Sequence, residues 1–125
     1  MKKILIVEDE EILAGVLKER FEKSSFSVEV VTKGDEVVSA VRKFMPDFIL
    51  LDIVLPKMDG MTMMSELRQS NSDAKDVPII LLTNLNSDEK IMKGIIQDNP
   101  AYYLVKTEWT LDDIVEKVKD SLKIS

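Results

Sequence analysis

Short apolar runs recur along this chain, and each is followed by a segment whose apolar residues return every three or four positions. That alternation constrains the fold more than any other feature of the sequence. Residues 3–7, 27–31, 48–51, 77–82 and 101–105 read as five strands. The runs ILIV, FILL and PIILL are apolar without alternation, as in strands covered by helices on both faces. Five helices fill the intervals. The first spans residues 11–24 with Ile12, Leu13, Val16, Leu17 and Phe21 as its apolar stripe. The second spans residues 35–44, turns Val37, Val38 and Val41 inward, and stops before Met45 and Pro46. The third covers residues 61–70, and the fourth starts near Ser87 and ends before Asn99 and Pro100. The fifth, residues 111–122, is capped by Thr110 and carries Ile114, Val115, Val118 and Leu122 on one face. Strands joined by helical crossovers imply a parallel sheet with right-handed connections, a (βα)5 unit of the α/β class.

At 125 residues the chain has room for one core, and 45% hydrophobic with 32% charged residues is an ordinary globular balance. There is no cysteine and no histidine. Thiol nucleophiles, disulfides, Cys/His zinc sites and imidazole bases are therefore excluded, which leaves carboxylates, hydroxyls, lysines and hard, oxygen-seeking ions. A net charge of -6 and a pI near 4.7 disfavour direct binding of nucleic acid and favour a protein partner. In MKKILIV the apolar run breaks at Glu8 after four residues, too short for a signal peptide or a membrane span, so a cytoplasmic protein is expected.

In an open parallel sheet, ligands bind beyond the carboxyl ends of the strands. The residues there are Glu8 and Asp9 after the first strand, Asp52 after the third, Thr83 after the fourth and Lys106 after the fifth. Taken singly, Asp9 is a helix cap, Glu8 a solvated strand end, Thr83 an ordinary β-branched residue and Lys106 one of 17 basic residues. Their coincidence on one sheet edge outweighs those readings. Clustered carboxylates repel unless a cation is present, and an all-oxygen set of high negative charge suits Mg2+, with Mn2+ as a substitute.

The ordered set ILIVEDE (4–10), ILLDIVLPKMDG (49–60), PIILLTN (78–84) and YYLVKT (102–107) resembles the receiver domain of two-component response regulators over nearly the whole chain. The resemblance implies a flavodoxin-like three-layer sandwich with strand order 2-1-3-4-5, formed by residues 1–125 as a single receiver. It implies that a histidine kinase phosphorylates Asp52, and that Asp9, Asp52, the backbone carbonyl of Val54 and, through water, Glu8 hold Mg2+. Thr83 and Lys106 would contact phosphoryl oxygens, and Tyr103 would be an aromatic switch. A carboxylate can take a phosphoryl group when charge on the equatorial oxygens is neutralised, and a hydroxyl recruited by phosphate biases a two-state element. The expected readout face is the fourth helix, fifth strand and fifth helix. The protein would catalyse its own phosphotransfer and a slow self-dephosphorylation, as a monomer or a phosphorylation-dependent dimer. It is expected either to act alone through a downstream protein target or to be a receiver cut from a longer regulator.

Three departures from the family matter. Thr107 stands where receivers carry proline, Asn84 where they carry a small residue, and Val54 and Leu85 are both apolar. Neither Val54 nor Leu85 can hold a hydrolytic water in line, which predicts slow loss of phosphate. Rival readings are weaker. A haloacid-dehalogenase-like phosphatase needs a second aspartate at position 54; a flavodoxin-type binder needs a phosphate loop after the first strand. Gly15, Gly34, Gly60 and Gly94 are isolated, so no Walker or dinucleotide loop exists. A pseudo-receiver that binds partners without phosphorylation is the alternative, and the intact acidic set argues against it.

Overall fold

The computed structural model describes residues 1–52, 77–83, 102–105 and 110–122, with residues 52, 81, 83 and 102–105 described by their backbone. In chain order the elements are β1 (Lys3–Val7), α1 (Glu11–Lys23), β2 (Ser27–Val31), a single 3-10 turn (Gly34–Glu36) and α2 (Val37–Phe44). They continue with β3 (Phe48–Asp52), β4 (Ile79–Thr83), β5 (Tyr102–Val105) and a C-terminal helix (Leu111–Leu122). The sheet is fully parallel, in the order β2-β1-β3-β4-β5. The expected third and fourth helices lie outside the described residues.

The unbroken apolar runs divide between two faces, as a period of two requires. Leu5, Val7, Ile49, Leu51 and Ile79 pack with Val37 and Val41 of α2. Ile4, Ile6, Phe48, Leu50, Ile80 and Leu82 pack with Leu17 and Phe21 of α1 and with Ile114, Val115 and Val118 of the C-terminal helix. Three layers result, and ILIV is apolar throughout because both its faces are covered.

The turns fix how each helix leaves its strand. The last turn of α1 closes with Ser25 left-handed at φ 70, the Phe26 amide donating to the Phe21 carbonyl at 3.1 Å and the Ser25 amide to Glu22 at 3.1 Å. This is a Schellman end with serine at the position glycine favours, and the rings of Phe21 and Phe26 meet edge to face at 5.3 Å beneath it. At the end of α2, Met45 is left-handed at φ 51, and the Lys3 ammonium donates to the Phe44 carbonyl at 3.3 Å while lying over the Phe44 ring. Asp47 then anchors β3 to β1, its amide donating to the Lys3 carbonyl and its Oδ2 accepting from the Lys3 amide at 2.9 Å.

The expected stripe of α1 is corrected in part. Ala14, Leu17 and Phe21 are buried and Leu13 lies beside them, but Ile12 is 86% exposed and Val16 is 40% exposed. At 100° per residue, Ile12 lies nearly opposite the line through Ala14, Leu17 and Phe21. The second expected helix begins later than predicted, since the 3-10 turn Gly34–Glu36 precedes α2.

Candidate functional site

The strand register sets the geometry of the carboxyl edge. Val7 is level with Leu51 across β1 and β3, so the next residues, Glu8 and Asp52, share a row. Asp52 pairs with Leu82 and Leu82 with Leu104, which extends that row over four strands. Thr83 ends β4 one residue further on, level with Val105. Tyr103 is one row deeper, level with Leu81 and Leu51, and two strands from β3 at a spacing of about 5 Å per strand. The fold thus brings Glu8, Asp9, Asp52 and Thr83 to one edge from distant parts of the sequence. Lys106, Val54, Asn84, Leu85 and Thr107, with the peptide bond between Lys106 and Thr107, lie outside the described residues.

Glu8 and Asp9 are neighbours in sequence with opposite environments. Glu8 is 1% exposed, and its amide donates to the Val31 carbonyl at 3.0 Å, carrying the β1 ladder one residue past the strand. Its Oε1 accepts from the Glu10 amide at 3.2 Å. Burying a carboxylate is costly unless hydrogen bonds or a cation compensate, and the Glu10 amide supplies one such bond to Glu8. Asp9 is exposed, and it is not the cap of α1: the residue at that position is Glu10, whose carbonyl accepts from the Ala14 amide at 2.9 Å. Asp9 is therefore left facing solvent at the mouth of the edge. The role of Glu10 was hidden in the sequence, because a backbone amide reaching two residues back depends on how the β1 end turns into α1.

Among the described residues no three metal-ligating side chains form a cluster, and Glu8 and Asp9 are the acidic pair directly after β1. A donor set of carboxylate oxygens alone fits a hard divalent cation and does not fit a soft one. Among the described residues no helix is long and apolar enough to cross a membrane.

Known proteins resemble this chain in sequence and in fold. The phosphate regulon transcriptional regulatory protein PhoB of Rhizobium meliloti is 29% identical over 98% of this chain and 53% of its own length. The alkaline phosphatase synthesis transcriptional regulatory protein PhoP of Bacillus subtilis is 38% identical over 66% of this chain and 33% of its own. The chain thus spans about half or less of the length of these relatives. A two-component response regulator from Clostridium difficile superposes with a TM-score of 0.87 at 26% identity, covering 98% of this chain and 97% of that one. The response regulator receiver domain model matches residues 4–119, which takes in β1 through most of the C-terminal helix and every candidate residue at the carboxyl edge. With that match over most of its length and a parallel sheet in the order β2-β1-β3-β4-β5, the chain belongs to the response regulator receiver domain family.

Proposed function

We propose that Asp52 is the phosphoacceptor of a two-component switch and that a histidine kinase is its donor. The single observation that carries this reading is the register placing Asp52 on the row of buried Glu8, with Asp9 beside it and Thr83 ending the next strand. In the transfer, an Asp52 carboxylate oxygen forms a bond to phosphorus as the phosphorus–nitrogen bond of the donor phosphohistidine breaks, and the imidazole leaves with its electron pair. Glu8, Asp9, Asp52 and the Val54 carbonyl would hold Mg2+, or Mn2+ in its place; when bound, the ion supplies positive charge against the equatorial phosphoryl oxygens. Lys106 gives a second positive charge on a long stem. Thr83 donates its hydroxyl to a phosphoryl oxygen, and the shift of its loop makes room for Tyr103 to turn inward. The output face is the fourth helix, fifth strand and fifth helix. With a net charge of -6, the receiver itself meets protein and not DNA.

Incubation with acetyl phosphate and Mg2+, read by intact mass, tests the assignment. One phosphoryl group should add to the wild-type chain and none to Asp52→Asn. Addition that persists in Asp52→Asn, or no addition to wild type, overturns it; the second result favours a phosphorylation-independent binding module.

A further inference from the structure

A second concave surface lies away from the carboxyl-edge row, along the outer side of β2. The groove encloses about 480 Å³ between β2 and α2, within the range of ligand sites. Buried Val31 and half-buried Ala40 and Phe44 supply its apolar lining. Its charged residues are Glu29, Asp35 and Glu36 against Lys43, so the lining is acidic by excess.

β2 is an edge strand, and among the described residues nothing pairs with it on the side away from β1. The inward bonds are fixed: the Ser27 amide donates to the Lys2 carbonyl at 2.8 Å, and the Val31 carbonyl accepts from the Glu8 amide at 3.0 Å. In a parallel ladder, alternate residues bond to opposite neighbours, so the amides and carbonyls of Val28 and Val30 point to the open side. An open edge beside a groove takes an extended segment well: main-chain bonds hold the segment, and every second side chain drops toward the groove.

We infer that the β2 edge and the groove beside it bind an extended peptide carrying basic residues at alternate positions. Charge selects this occupant. A second copy of the chain would set Glu29 and its neighbours against their own kind, and edge carboxylates are a known defence against such pairing. A basic segment turns the same carboxylates into partners. A small polyamine would satisfy the charge but would leave the Val28 and Val30 main chain unused, which separates it from a peptide in experiment.

Binding of a labelled peptide of alternating lysine and valine to the full chain, followed by fluorescence anisotropy, tests this. The peptide should bind, more weakly as salt rises. N-methylation of one alternate set of peptide amides should abolish binding, while methylation of the other set should leave it unchanged. Charge reversal in the double variant Glu29→Lys/Glu36→Lys should weaken binding by about tenfold or more, with melting curves showing that the variant is folded. An acidic peptide of the same length should not bind. The inference is overturned by no binding, by equal tolerance of both N-methylated sets, by binding unchanged in the double variant, or by equal binding of the acidic peptide. Indifference to N-methylation combined with competition by spermine would mark a site for small cations instead.

Discussion

Thr110 and Asp113 grip each other at the start of the C-terminal helix. The Thr110 hydroxyl accepts from the Asp113 amide at 3.1 Å, and Asp113 Oδ2 accepts from the Thr110 amide at 3.0 Å, a reciprocal capping box with aspartate in the usual glutamate place. The bond from the Thr110 amide, and after it the Thr110 side chain, holds the Asp113 carboxyl below its ordinary range. A carboxyl depressed by folding stabilises at pH above its unfolded value and loses that contribution as pH falls through the folded value. Asp113→Asn should therefore melt below wild type at neutral pH, and the gap should close in acid beneath the ordinary carboxylate range; a gap independent of pH would contradict the assignment. Thr110→Ala should cost about 1 kcal/mol at neutral pH by thermal melting. For the proposed signal, we assign its duration to a different single residue, Val54. Val54 offers a hydrolytic water no polar partner, so Val54→Asn should shorten the lifetime of phosphorylated protein measured by intact mass after donor removal. An unchanged lifetime would remove Val54 from the account.

Among the elements, α1 separates what periodicity can and cannot tell. Ile12 to Phe21 reads as one stripe because apolar residues at three- and four-residue spacing fit more than one helix face when the face is wide. The sheet decides between them: it covers Ala14, Leu17 and Phe21 and leaves Ile12 outside. Ile12→Lys should therefore shift the melting temperature little, within about 0.5 kcal/mol, while Leu17→Ala should cost about 2–5 kcal/mol. Similar losses for the two would restore the wider stripe. The strands were more legible than the helix face, because a run such as Ile4 to Val7 is apolar whichever face is considered and its burial on both sides follows directly. The predicted ends of β1 and β2 match, and β3 reaches one residue further, to Asp52. That extra residue bears on the proposed function, since pairing with Leu82 makes Asp52 part of the sheet. The 3-10 turn before α2 left no periodic trace, as three residues are too few to show one. The packing of Glu8 was equally hidden: its charge suggests a solvated strand end, whereas Val31 and Glu10 hold it in a buried position.

Across the whole molecule, the topology concentrates charge where the core ends. The chain carries a net charge of -6, and the fold places Asp52 in the strand beside Glu8, with Asp9 next along the chain. Glu8 is buried, so water screens it poorly. A divalent ion held by this edge, as proposed, would bind the folded chain and not the unfolded one and so stabilise the fold by mass action. Mg2+ should consequently raise the melting temperature of the unphosphorylated protein, and the gain should grow with concentration, reaching about 2.7 kcal/mol when free ion is a hundredfold above its dissociation constant. Sodium chloride at matched ionic strength should not reproduce it. Asp9→Asn should melt close to wild type in the absence of the ion, because Asp9 is exposed, and should lose most of the Mg2+ increment. The measurement needs no phosphoryl donor, so it tests the acidic edge separately from the chemistry proposed for Asp52. If Mg2+ stabilises wild type and Asp9→Asn equally, the ion binds elsewhere, and the acidic edge is not its site.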